Sequence, residues 1–161
     1  PNLVLGDLDS ISKSGLDYIE ENKIEVSLFS SIKDDTDTAL ALDYLIERGF
    51  DDITLMGVTG TRMDHTLANI LLLNTLLEKG IKGRIIDDNN IIQLVDNELE
   101  IKYCENTYVS IVPITEEGVV VTLRGFFYNL ESTKIKFGST YGISNRVVES
   151  CGKIKIIKGK H

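Results

Sequence analysis

At 161 residues, with 42% hydrophobic and 26% charged side chains, the chain can bury one or two small cores. Its 25 acidic against 17 basic residues, a net charge of −8, leave no basic stripe for a nucleic-acid surface, and no apolar run approaches the roughly 18 residues of a membrane span. A magnesium-bridged anion or a cationic ligand suits that balance better. Cys104 and Cys151 lack CxxC or Cys/His ligand spacing, so buried structural thiols in a reducing cytoplasm are expected, with neither insertion nor export.

Taken in chain order, the first half alternates short apolar runs with helical patterns. An apolar run at 3–5 precedes a helix near 14–22, with Ser14 and Asp17 spaced as a cap. A strand at 25–30 leads to a helix near 37–48 closed by Gly49. A strand at 53–58 leads to a helix near 65–79 closed by Gly80. Alternation of this kind predicts a parallel, Rossmann-like sheet, and the last helix, apolar over most of its circumference, is expected to be largely buried. From about Arg84 helical periodicity fades. Seven β-rich runs follow, at 91–95, 99–104, 108–115, 119–123, 133–137, 146–148 and 153–157, which predicts an antiparallel β-sandwich. The expected domains are therefore 1–85 and 86–161. Lys153, Lys155 and Lys158 read as the guard of an edge or surface strand.

Each strand-to-helix junction of the first half carries acid. Asp7 and Asp9 follow the first strand, Lys33, Asp34, Asp35, Thr36 and Asp37 the second, and the run Gly57 to His65 the third. In a parallel sheet these junctions share the carboxyl edge, where open α/β folds bind ligands. Singly, each Asp reads as a helix cap or dipole partner. Jointly, Asp7, Asp9, Asp34, Asp35, Asp37 and Asp64 repel one another unless a cation neutralises them, and hard oxygen ligands suit magnesium bound to substrate phosphates. The glycines at 57 and 60 allow close backbone approach, although neither GxxxxGK[ST] nor GxGxxG occurs. Arg62 is the candidate phosphate clamp, and His65 reads as a helix-start cap or supporting partner.

The series Gly6-Asp7-Leu8-Asp9-Ser10, Lys33-Asp34-Asp35-Thr36-Asp37, Gly57-Val58-Thr59-Gly60-Thr61-Arg62-Met63-Asp64-His65 and Tyr141-Gly142-Ile143-Ser144-Asn145 resembles the ordered motifs of thiamine pyrophosphokinases. The resemblance implies transfer of a pyrophosphoryl group from ATP to the hydroxyethyl group of thiamine, giving thiamine diphosphate and AMP. It implies magnesium on Asp7, Asp9 and Asp37, and ATP contacts from Asp34, Thr36, Thr59, Gly60, Thr61, Arg62 and Asp64. It further implies a thiamine site at Tyr141, Ser144 and Asn145, with Tyr141 standing in for the tryptophan of some relatives, which this sequence lacks. A homodimer with shared sites is implied too, as are a further strand and helix ahead of the first motif. The residues alone leave open a metal-dependent phosphohydrolase or a non-catalytic nucleotide- or thiamine-binding protein.

Overall fold

A computed structural model describes residues 1–6, 8, 11–28 and 35–158. The first half builds β1 (Leu3–Gly6), α1 (Lys13–Glu21), β2 (Glu25–Leu28), α2 (Asp37–Glu47), β3 (Asp52–Met56), α3 (Met63–Glu78), β4 (Lys82–Ile86) and β5 (Ile91–Gln93). Helix α1 starts ahead of the expected position because Ser12, rather than Ser14, caps it, accepting the Gly15 N–H at 3.2 Å.

The helical crossovers make β1–β2 and β3–β4 parallel pairs, since only a long connection returns a strand in the same direction. Among the described residues these pairs do not join into the single Rossmann-like sheet expected. The described residues form a two-stranded sheet, β1-β2, and a three-stranded one, β3-β4-β5. Strand β5 runs antiparallel to β4 because the turn between them, residues 87–90, is too short for a crossover.

Helix α3 seats on β4 at Gly83, where a Cβ would lie 2.5 Å from Leu76 Cδ1. Leu42, Ile53, Leu73, Leu76 and Ile85 form the buried cluster there, and Ile92 and Leu94 pack against it. The first core thus reaches past residue 85 to Leu94, while Val95 packs into the second. Helix α3 is only half buried, contrary to its sequence pattern. Asn69, Leu73 and Leu76 fall on one face at spacings of four and three, whereas Leu71, two residues from Leu73, points about 200° away and with Leu67 stays exposed.

The second half is a four-stranded antiparallel sheet ordered β6-β9-β7-β8, from β6 (Glu98–Lys102), β7 (Val119–Arg124), β8 (Leu130–Ile135) and β9 (Cys151–Lys158). Its inner face, including Val119, Val121, Leu123, Ile135, Ile154 and Ile156, is covered by Ile111, Phe126 and Val147. These covering segments join through isolated bridges, Val109↔Asn145 and Phe126↔Val147, and not as the full strands a sandwich would need. Pro113, lacking an N–H, breaks any ladder along 108–115.

Of the two readings of the lysines, edge or surface strand, the surface one holds, and the cysteine expectation changes. Strand β9 is interior, flanked by β6 and β7, so Lys153 and Lys155 guard a solvated face opposite Glu100 and Glu98, with Lys153 Nζ 2.6 Å from Glu100 Oε1. Neither cysteine is a buried core thiol. Cys104 is exposed just beyond β6, and Cys151 is half-buried at the start of β9.

Gly83→Val forces branched carbon into the Leu76 contact, and should lower stability by about 1–3 kcal/mol. Denaturant unfolding should show the midpoint falling with little change in slope.

Candidate functional site

Parallel register sets where the segments that carry the candidate residues begin. Gly6 and Leu28 are register partners, so β1 and β2 end level. Asp7 and Asp9 after β1, and Lys33 and Asp34 after β2, lie outside the described residues. Beyond them Asp35 is exposed, Thr36 caps α2 by accepting the Ala39 N–H at 3.3 Å, and Asp37 opens the helix. Among the described residues no group of three His, Cys, Asp or Glu side chains gathers to hold a metal ion.

The segment 57–62, which follows β3, is held by three side chains. Asn69, buried on α3, donates to the Val58 carbonyl at 2.8 Å. Thr66 accepts the Gly60 N–H at 3.1 Å, one turn into the same helix. The Thr59 hydroxyl donates to Asp87 Oδ2 at 3.1 Å. Asp87 in turn organises the β4–β5 turn, since its Oδ1 accepts the N–H groups of Asn89 at 2.9 Å and Asn90 at 2.8 Å. Those bonds, the Asn89 N–H foremost, hold its carboxyl below the usual range. Between this turn and Thr59, Gly60 and Thr66 lies a cleft of about 470 Å³.

Thr61 is exposed, and Arg62 and Asp64 form a side-on fork, Nε to Oδ1 at 3.2 Å and Nη2 to Oδ2 at 2.5 Å. Nη1 is left out of the fork and faces away from Asp64. The bond from Arg62, then the His65 backbone N–H, pulls the Asp64 carboxyl down to about 2. The His65 side chain itself is exposed.

In the second half, Tyr141 is 64% exposed, and Ser144 is exposed at φ 61°, a conformation costly for a non-glycine residue. Its N–H donates to Ser110 Oγ at 3.1 Å. Gly142 is required by close approach: a Cβ would sit 2.5 Å from the Ile111 carbonyl oxygen. Asn145 is buried, and its amide is used internally. Oδ1 accepts the Tyr128 N–H at 3.0 Å, and Nδ2 donates to the Tyr128 carbonyl at 2.8 Å. Held in this way, Tyr128 stands exposed with Phe127, their rings edge to face at 4.8 Å and Arg146 4.7 Å over the Phe127 ring.

Sequence reasoning missed Thr66, Asn69, Asp87, Phe127 and Tyr128. Asn69 was findable as the one amide on the buried stripe of α3. Asp87 was findable from the Asp-Asp-Asn-Asn run just after a strand, which is turn chemistry.

The Arg62–Asp64 fork generates a prediction. A carboxyl depressed on folding contributes to stability above its unfolded value, near 3.8, and loses that contribution as pH falls through about 2. Carbon-detected NMR should place the Asp64 midpoint near 2, and Arg62→Ala should raise it while leaving it below 3.8, because the His65 backbone N–H still favours the carboxylate.

Comparison with known proteins gives consistent matches. Residues 1–85 match the family described as thiamin pyrophosphokinase, catalytic domain, and residues 93–160 that described as thiamin pyrophosphokinase, vitamin B1 binding domain. A thiamine pyrophosphokinase of Bacillus subtilis is 39% identical over 161 residues, covering 99% of this chain and 75% of the relative. Thiamin pyrophosphokinase 1 of Caenorhabditis elegans is 25% identical, covering 93% of this chain and 64% of its own length. Among solved structures, the Bacillus subtilis enzyme superposes with a TM-score of 0.91 at 39% identity, over 99% of this chain and 76% of that one. The enzyme of Geobacillus thermodenitrificans gives 0.85 at 30% identity, over 99% and 74%.

Proposed function

The chain belongs to the thiamine pyrophosphokinase family, whose members make thiamine diphosphate by pyrophosphate transfer from ATP, and we propose that its own clamped 57–62 loop and Arg62–Asp64 fork carry that reaction. The observation that carries the reading is the fork. Asp64 aligns the guanidinium through Nε and Nη2, so Nη1 is presented to an anion. Thr59, Gly60 and Thr61 line the phosphate path beside it.

Magnesium fits Asp7, Asp9 and Asp37, supported by the level ends of β1 and β2 and by the hard oxygen character of the set. When bound there it neutralises charge on the ATP phosphates. Asp34 and Thr36 are assigned to the ATP contacts by their place in the same motif as Asp37. The Thr36 oxygen accepts the Ala39 N–H, so its proton remains available for a phosphate oxygen.

In the reaction, the thiamine hydroxyl oxygen bonds to the β-phosphorus of ATP, the bond from that phosphorus to the α-phosphate oxygen breaks, and AMP leaves. The hydroxyl proton passes to an aspartate of the carboxyl edge. Arg62 stabilises the charge that builds on the transferring group, and positioning supplies most of the remaining acceleration. Residues 1–85 serve as the ATP and magnesium half, and residues 86–161 as the thiamine half. Thiamine rests against Tyr141 and Ser144, while Asn145 contributes by holding Tyr128 in place. The protein acts in the cytoplasm as a homodimer whose sites draw on both subunits.

Phosphorus NMR of ATP and magnesium, with and without thiamine, is the direct test. AMP and thiamine diphosphate should appear only with thiamine, and phosphate release without it would indicate a hydrolase instead. Asp37→Asn should lower turnover roughly 100-fold or more with the fold intact. Near wild-type turnover at limiting magnesium would remove Asp37 from the metal set.

Site sharing gives a second test. If Asp37→Asn and Ser144→Ala each inactivate their own dimer, a mixed dimer collects both lesions in one site and none in the other. Refolding the two together should restore roughly a quarter of wild-type AMP production, because about half the dimers are mixed and each has one intact site. No recovery despite verified exchange would place both residues in one subunit's site.

A further inference from the structure

The β4–β5 turn forms the far wall of the cleft beside the 57–62 loop, and its chemistry differs from that of the loop. Asp87 is committed internally, its two oxygens taken by the turn and by Thr59. Its neighbour Asp88 lines the cleft from an exposed position, and among the described residues its carboxylate makes no hydrogen bond or ion pair. The lining holds these two carboxylates, no Lys or Arg, and Ile92 as its one large apolar side chain.

Two carboxylates without a cation repel phosphate, so the phosphates of a nucleotide belong on the Arg62 side of the loop. An uncommitted carboxylate is instead an acceptor for neutral donors, and a pair of adjacent hydroxyls supplies two. The ribose of a nucleotide is joined to its α-phosphate through a single methylene, so a ligand anchored by its phosphates on the Arg62 side of the loop can carry its hydroxyls into the adjoining cleft. Thiamine, a cation, is the competing occupant. Its ring would need apolar or aromatic walls, which here amount to Ile92, whereas exposed aromatic rings stand in the second half at Phe127 and Tyr128.

We infer that the β4–β5 turn is the nucleoside wall of the ATP site and that Asp88 accepts the ribose hydroxyls. This assignment rests on the ATP reading above. Asp87 is the positioning residue that fixes the wall to the phosphate loop, and Asp88 is the residue that discriminates the sugar.

The test is calorimetric binding of ATP and of 2′,3′-dideoxy-ATP, with magnesium, to the wild-type chain and to Asp88→Ala. Wild type should prefer ATP by roughly tenfold, the worth of hydrogen bonds to a charged acceptor. Asp88→Ala should bring that ratio close to one by weakening ATP alone, leaving dideoxy-ATP affinity, thiamine affinity and the melting temperature unchanged. A ratio that survives in the variant, a wild-type ratio near one, or a selective loss of thiamine affinity would overturn the assignment while leaving the ATP reading in place. Failure of the wild-type chain to bind either nucleotide would overturn the ATP reading and this assignment together.

Discussion

Parallel register is the constraint on which the candidate site depends. Met56 at the end of β3 is paired with Ile86 at the end of β4, so the chain leaves both strands at the same level. The residue just past β4 is Asp87, and it stands beside the loop just past β3, within reach of Thr59. A slip of one residue would turn every side chain of β4 to the opposite face and remove Ile85 from the core. The packing that prevents such a slip is the seat of α3 on β4, where Gly83 leaves room for Leu76. Helix α3 therefore has two tasks. Its buried face fixes the register, and Thr66 and Asn69 on its first turns hold the backbone of the loop that the register has placed.

Much of the fold was legible because hydrophobic period and helix stops are local. The three helices, the glycines that end α2 and α3, and the change of texture from about Arg84 are all written in short windows of sequence. Sheet membership is not local. Whether β1 and β3 share a ladder depends on contacts between segments some fifty residues apart, and nothing in either run encodes it; the described residues keep them in separate sheets. The same limit explains β9, whose lysines read as the guard of an edge or surface strand. Only the register opposite Glu98 and Glu100 reveals that they guard a face. The half-buried state of α3 has a related origin, because an apolar circumference states what a helix could bury and not what is available to cover it.

The site divides along similar lines. Acidic junctions and the Arg62-to-Asp64 spacing could be read directly, and the fork they form is a contact between residues two apart. Asn145 shows the opposite case. Its place in a motif suggested a ligand contact, but a buried amide must satisfy both its oxygen and its nitrogen, and here the backbone of Tyr128 meets that need across seventeen residues. Sequence position could mark Asn145 as special without distinguishing a residue that touches a ligand from one that positions its neighbour. Phe127 and Tyr128 went unnoticed because they fall between the β-rich runs 119–123 and 133–137, and their exposure follows from the bridge layer.

Charge links the two halves of this argument. A chain with net charge −8 that takes a polyphosphate has to overcome repulsion at the place of contact. Arg62 supplies one fixed positive group there, and pairing with Asp64 orients that group while cancelling much of its long-range field. Under the function proposed above, what remains is short-range: directed N–H groups, hydroxyls, and a divalent cation that the nucleotide would bring to the aspartates. Carboxylates that would exclude free ATP would then favour its magnesium complex, because they add ligands to an ion already carrying part of the phosphate charge. On the proposed reading the acidic balance of the chain would select the metal-bound form of the nucleotide, and the turn at Asp87 and Asp88 would extend that selection by keeping phosphate out of its part of the cleft.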